Sequence, residues 1–293
     1  MESYYWGDVI SATGTGDRTE LFARAYQAAV DRWPVPVASE RVPTRYGSTH
    51  VLACGLPDAP PVLLLQESGT TAVAWRDVAG GLASGHRVIA VDPPGHPGLS
   101  GPGDQPPRTA AELAGWLDEV LDGLAVRRAA IAGHSYGAWL ALRYALHAPE
   151  RVSRLVLLDP TDCFAPMSLR YRLRAIPVLA RPAASRMRRF LAWETGGRRL
   201  DEAWLAVVAA GQDLGRARIV LPRRPSRSEL AGLRLPVLVI VAGQSRAHDP
   251  RRVARSARDR LPAASVVTLP QASHHSIPAG DTEELLRHIE PFL

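Results

Sequence analysis

Gly133-His134-Ser135-Tyr136-Gly137 is the stretch on which the reading of this chain turns. An apolar run, Ala129-Ala130-Ile131-Ala132, leads into it, and residues 138–145 lead out with helical character. A serine at a tight turn from strand to helix is held away from its neighbours, with its hydroxyl exposed. Flanking glycines let the backbone turn without a Cβ clash. Gly-x-Ser-x-Gly alone is a weak signal; the strand before it and the helix after it give it weight.

Outward from that turn, apolar runs alternate with helical patterns. Pro61-Val62-Leu63-Leu64-Leu65 and residues 87–92 are continuous apolar runs, as in buried parallel strands. Residues 129–132, 155–158, 237–241 and 265–269 complete the set. Helical spacing is predicted over 17–33, 71–83, 109–124, 137–147, 250–260 and 281–290. Residues 39–54 alternate around Tyr46-Gly47-Ser48 and read as a hairpin. The pattern predicts an α/β fold with a mostly parallel sheet covered by helices on both faces. One interval breaks the alternation. Between Asp159 and Pro236 the patterns are helical (168–179, 184–195, 201–212), punctuated by Pro177, Pro182, Gly196-Gly197 and Pro222. This reads as a helical cap, 161–234, inserted into a core made of 1–160 and 235–293.

Composition sets the outer limits. The chain has 293 residues, 46% hydrophobic and 22% charged, which is ordinary for a globular protein. No apolar run approaches the ~20 residues of a membrane span. Residues 1–8 lack the basic stretch and apolar core of a secretory leader, so a cytoplasmic location is expected. All 35 basic residues are arginine. The net charge of +6 is uneven: 161–234 carry 15 arginines against 6 carboxylates. These arginines are interleaved with Leu, Ala and Trp at helical spacing, which reads as a solvated helix face rather than a nucleic-acid surface. Cys54 and Cys163 match no metal or redox spacing. There is no phosphate-binding Gly-x-x-x-x-Gly-Lys and no dinucleotide fingerprint. The expected partner is a small-molecule substrate, with no cofactor, metal, nucleic acid or membrane, and the chain is expected to be a monomer or homodimer.

The chemistry is carried by the order Ser135, acid, His274. A serine hydroxyl needs a histidine to take its proton, and a buried carboxylate to hold the imidazole in the right tautomer. Ser273-His274-His275-Ser276 follows the last predicted strand, where such a histidine belongs. Together with Asp92-Pro93-Pro94-Gly95-His96-Pro97-Gly98-Leu99-Ser100 and Leu155-Val156-Leu157-Leu158-Asp159-Pro160, these motifs make the chain resemble the α/β-hydrolase superfamily over nearly its whole length. The resemblance, to capped, serine-nucleophile, carboxylesterase-like members, implies a Ser-His-acid triad and a cap that shapes the substrate pocket.

The chain departs from that family in two places. The usual acid after the seventh strand falls on Ser245 or Arg246, neither a carboxylate. Two candidates remain. Asp249 precedes Pro250 and also reads as a helix N-cap. Asp159 ends the sixth strand and is the favoured partner of His274. The second departure follows the third strand, where the usual His-Gly is replaced by Gln66-Glu67-Ser68-Gly69. The backbone N–H groups of Ser68 and Tyr136 are the candidate oxyanion donors. Glu67 either faces outward or pairs with an arginine, or joins Gln66 in contacting substrate. Trp193 is a candidate to line an apolar pocket under the cap. The leading expectation is a serine hydrolase that cleaves an ester, thioester or lactone of a small, largely apolar molecule through an acyl-enzyme. The alternative is a lyase or cyclase of specialised metabolism using Ser135, His274, Gln66 and Glu67.

Overall fold

Pro61–Leu65 shows how the core is divided. Val62 and Leu64 pack into one apolar cluster, Leu63 and Leu65 into another on the opposite face of the sheet. A strand's side chains alternate between faces, so a continuous apolar run is required only where both faces are covered. The structure, a computed structural model, describes residues 16–214 and 219–293; residues 1–8, read above for a leader, lie outside that range.

Eight strands form one sheet: β1 (Val37–Thr44), β2 (Gly47–Gly55), β3 (Pro61–Leu65), β4 (Arg87–Val91), β5 (Ala129–His134), β6 (Val152–Leu158), β7 (Val237–Ala242) and β8 (Ser265–Leu269). Their spatial order is β1-β2-β4-β3-β5-β6-β7-β8. β1 and β2 form the expected hairpin, with Thr44 opposite Gly47, and β2 runs antiparallel to β4; β3 through β8 are parallel.

The helices are α1 (Gly16–Val30), α2 (Arg76–Leu82), α3 (Ala110–Gly123), α4 (Tyr136–His147), α5 (Leu169–Ala180), α6 (Ala184–Glu194), α7 (Glu202–Gly211), α8 (Arg227–Ala231), α9 (Pro250–Arg260) and α10 (Thr282–Ile289). Trp116 of α3 and Trp139 of α4 fill the core on one face. Phe22 and Tyr26 of α1, Trp75 and Val207 of α7 fill the other. The interval between β6 and β7 holds α5 to α7, as its helical spacing predicts, and α8 besides; α5–α7 pack Tyr171, Phe190, Leu191 and Trp204 into the cluster that holds Val62 and Leu64. The five-residue α8, closed by a Ser226–Glu229 capping box, is not anticipated by periodicity, because a single turn presents no repeat.

The order reverses around β3, which lies between β4 and β5. Crevices beyond the carboxyl ends of parallel strands at such a reversal are where open α/β sheets bind ligands. Gln66 follows β3, Ser135 follows β5 and Asp159 follows β6, at the same end of three adjacent strands.

Candidate active site

Ser135 links β5 to α4 with φ 54° and ψ −112°, a strained conformation for a residue with a side chain. The flanking glycines act differently from what the motif suggests. Neither Gly133 nor Gly137 is among the residues with positive φ. They are required by close approach: a Cβ on Gly133 would lie 2.2 Å from the Gly137 carbonyl oxygen, and one on Gly137 would lie 2.0 Å from the Leu65 carbonyl oxygen. The missing side chains let α4 pack against the ends of β3 and β5, and the serine itself takes the strain. Its amide donates to the Leu158 carbonyl at 3.0 Å, which fixes the turn to β6.

His274 Nε2 lies 2.9 Å from Ser135 Oγ, and His274 Nδ1 lies 2.6 Å from Asp159 Oδ2. The carboxylate accepts the Nδ1 proton, which leaves Nε2 to accept from the serine. Thr161 Oγ1, 2.7 Å from Ser135 Oγ, is a second partner that no sequence motif marks.

Asp159 is fully buried. It accepts the Ala242 amide at 2.9 Å, the Ser245 hydroxyl at 2.7 Å and His248 Nε2 at 2.9 Å, besides His274. Burial pushes its carboxyl up in pKa, but His248 and His274 outweigh that and hold it well below the usual carboxylate range. The same pairing raises His248 against the opposing effect of burial. Ser245, one of the two positions, with Arg246, where the resemblance places the acid, is a hydroxyl that donates to Asp159. Asp249 does not join this group. Its side chain accepts from the Arg251 amide at 2.9 Å and the Arg252 amide at 3.2 Å and caps α9. The N-cap reading is the correct one, and Asp249 is corrected from acid candidate to cap.

Glu67 is buried, and among the described residues its charged partners are histidines rather than an arginine. Its Oε2 lies 2.8 Å from His275 Nδ1, and 4.0 Å from both His134 Nδ1 and His274 Nε2. Burial pushes the Glu67 carboxyl up, yet His275 and His134 prevail and hold it at about 2. Burial pushes His275 down, and Glu67 overrides it to about 9. Burial takes His134 to about 4, so it is neutral near pH 7. His275 thus sets a positive charge against the Glu67 carboxylate.

Glu194, the last residue of α6, is a further buried carboxylate without a sequence signature. One oxygen accepts the amides of His274 (3.1 Å) and Arg246 (3.2 Å), and the other accepts the amide of His275 (3.1 Å). Tyr171 of α5 also reaches this loop, with its hydroxyl 3.0 Å from His275 Nε2.

The remaining candidates divide. Tyr136 is the first residue of α4, where helix N–H groups have no intrahelical acceptor. Ser68 has an exposed side chain. Gln66 is buried, and neither atom of its amide group has a hydrogen-bond partner among the described residues. Trp193 is only half-buried. Its ring lies 6.3 Å from Tyr171, which in turn lies 6.0 Å from His274. Arg170, Arg174 and Arg246 stand 5.8, 5.3 and 5.2 Å from its centre. Tyr171 stands beside His274, and the indole of Trp193 packs against Tyr171 and Phe190 with the three arginines around it.

A metal is poorly served here. Glu67, His134 and His274 each bring one ligand atom within 4.8 Å of the others. However, Glu67 is paired with His275, both His274 nitrogens are engaged, and His134 Nε2 contacts the His274 carbonyl at 2.9 Å.

Residues 51–287 match the model of the alpha/beta hydrolase family. The chain belongs to that family. A carboxylesterase of Bacillus subtilis (strain 168), nap, is 27% identical over 261 residues, 86% of each chain. The carboxylesterase YbfK of the same organism is 34% identical over 143 residues, 49% of this chain and 48% of its own length. The crystal structure of the Bacillus subtilis naproxen esterase (carboxylesterase NP) superposes with a TM-score of 0.88 at 25% identity, covering 96% of this chain and 100% of that one. The chain is thus a carboxylesterase-like α/β-hydrolase.

Proposed function

We propose that this protein is a serine esterase that cleaves an ester, thioester or lactone of a small, largely apolar molecule through an acyl-enzyme. The observation that carries this reading is the unbroken relay from Ser135 Oγ through His274 to Asp159, at 2.9 and 2.6 Å. Ser135 attacks the carbonyl carbon while His274 Nε2 takes its proton. Asp159, ionised and saturated with donors, stabilises the imidazolium that forms. The backbone N–H of Tyr136, at the positive end of α4, and that of Ser68 hold the oxyanion. His274 then gives its proton to the leaving group, and water, activated by the same imidazole, releases the acid. α5 to α8 act as the cap, and the unpartnered Gln66 amide contacts the substrate, since a buried amide without partners is costly until a ligand satisfies it. The carboxylesterase relatives support the bond type, and the name of the naproxen esterase supports an apolar acyl part.

The lyase or cyclase alternative draws on Glu67 as a reactive group. A carboxylate ion-paired to His275 and held at about 2 is a poor proton acceptor, which favours the ester reading. The test is turnover of short p-nitrophenyl esters together with labelling by a fluorophosphonate. We expect both with the wild type, and Ser135→Ala to lose the label and on the order of 10⁶ in kcat. Silence of the wild type toward every ester, with Ser135 unlabelled, overturns the reading.

A further inference from the structure

α5 carries an apolar face that stands exposed among the described residues. Of the seven large apolar side chains that stand exposed among the described residues, four lie on this one helix: Leu169 (69% exposed), Leu173 (56%), Ile176 (52%) and Leu179 (67%). At 3.6 residues per turn, Leu169, Leu173 and Ile176 form one stripe, opposite the buried Tyr171 and Val178 that seat the helix. Arginines flank the stripe on both sides, Arg172 on one and Arg170, Arg174 and Arg181 on the other; all four are exposed. α5 has no acidic residue, and the one in α6, Glu194, is buried beneath the His274 loop. Among the described residues none of these four arginines is ion-paired with a carboxylate, whereas other arginines of the chain are. Trp193 stands beside Arg170 and Arg174 at the edge of this face.

We propose that this face docks on an anionic phospholipid surface, with α5 lying in the plane of the interface. An apolar stripe bordered by arginines, with an adjacent tryptophan, fits the boundary between headgroups and acyl chains. The charge decides among occupants. A second copy would set the arginine-rich interval, 15 arginines against 6 carboxylates, against itself. A nucleic acid would meet leucine and isoleucine where base stacking calls for aromatic side chains. No helix described is long and apolar enough to cross a bilayer, and α5 needs only to lie on one.

The test is flotation of the full chain with vesicles of phosphatidylcholine and phosphatidylglycerol in equal parts, beside vesicles of phosphatidylcholine alone, at low salt. The protein floats with the mixed vesicles and stays behind with the neutral ones. Arg172→Ala and Arg181→Ala each weaken partitioning roughly fivefold. Leu173→Glu and Ile176→Glu each cost on the order of tenfold or more, while circular dichroism and hydrolysis of a soluble ester stay at wild-type levels. Failure to float with the mixed vesicles overturns the proposal, as does flotation that survives both glutamate exchanges. So does a concentration-dependent dimer, abolished by Leu173→Glu, in place of vesicle binding, which assigns the face to a second copy.

Discussion

Asp159 accepts four hydrogen bonds, from Ala242, Ser245, His248 and His274, which fills the acceptor capacity of a carboxylate. Its φ of 39° is unusual for a residue with a side chain, and the four donors hold it there. Removing its charge keeps the shape but loses the tautomer control, so Asp159→Asn is expected to lower kcat for ester hydrolysis by about 10⁴. Ser245→Asp in that background puts a carboxylate at a residue whose hydroxyl lies 2.7 Å from Asp159 Oδ2, and is expected to recover part of the loss. Asp249→Ala removes only the cap of α9. It costs about 1 kcal/mol in denaturant stability and leaves kcat unchanged; a fall in kcat as large as that of Asp159→Asn would return Asp249 to the site. Ser135, His274 and the preference for Asp159 over Asp249 are legible in the sequence because each rests on local pattern: an elbow, a loop after the last strand, a strand end, a cap before proline. Thr161, His248 and Glu194 are not, because nothing near them in the chain reports which distant atoms they meet. Ser245 is half-legible. Its failure to be a carboxylate marks the departure, and only the fold shows that its hydroxyl donates to Asp159.

At the scale of elements, α6 joins the insertion to the loop that carries His274. α6 ends on Glu194, and that carboxylate receives three backbone amides, two of them from the loop carrying His274 and His275. Backbone amides are obligatory donors, and leaving one buried and unpaired costs roughly 1–3 kcal/mol. Glu194→Ala is therefore expected to destabilise the protein by roughly 3 kcal/mol or more and to lower kcat more than it raises KM, because the imidazole loses its fixed aim at Ser135. Glu194 is a positioning residue, and Glu194→Gln, which keeps one acceptor oxygen, should rescue part of both effects. Equal kcat in wild type and Glu194→Ala would show that the insertion only covers the site. Periodicity locates α5, α6 and α7 from their spacing alone, but it says which residues share a face and not what the face meets. The spacing of α6 thus says nothing of the aromatic and arginine neighbours that Trp193 meets in the fold.

Across the whole molecule, Glu67 and His275 tie the end of β3 to the loop after β8, and the Tyr171 hydroxyl brings α5 to the same histidine. This pair makes stability depend on pH in a definite direction. His275 is raised by Glu67 to about 9 from an ordinary 6.5, so the folded protein holds a proton that the unfolded chain gives up between those values. The stabilisation is fully present below pH 6.5 and is lost as pH rises through 9. Counted once from the histidine end, it is worth about 3 kcal/mol. Glu67, at about 2 against an ordinary 4.5, reports the same interaction from the acid side: it is present above pH 4.5 and lost as pH falls through 2. His134, held at about 4 by burial, charges on acidification and steepens that acid limb, so the alkaline limb gives the cleaner measurement. Urea midpoints of the wild type should fall between pH 6.5 and 9. In Glu67→Gln the slope should be shallower, because His275 then loses the charge that raises it. Asp159 raises His248 in the same sense and is untouched by that exchange, so a residual slope is expected. Identical slopes in the two proteins would mean that the Glu67–His275 pair does not carry the alkaline loss, and the neutralisation of Glu67 beside Ser135 would need another cation.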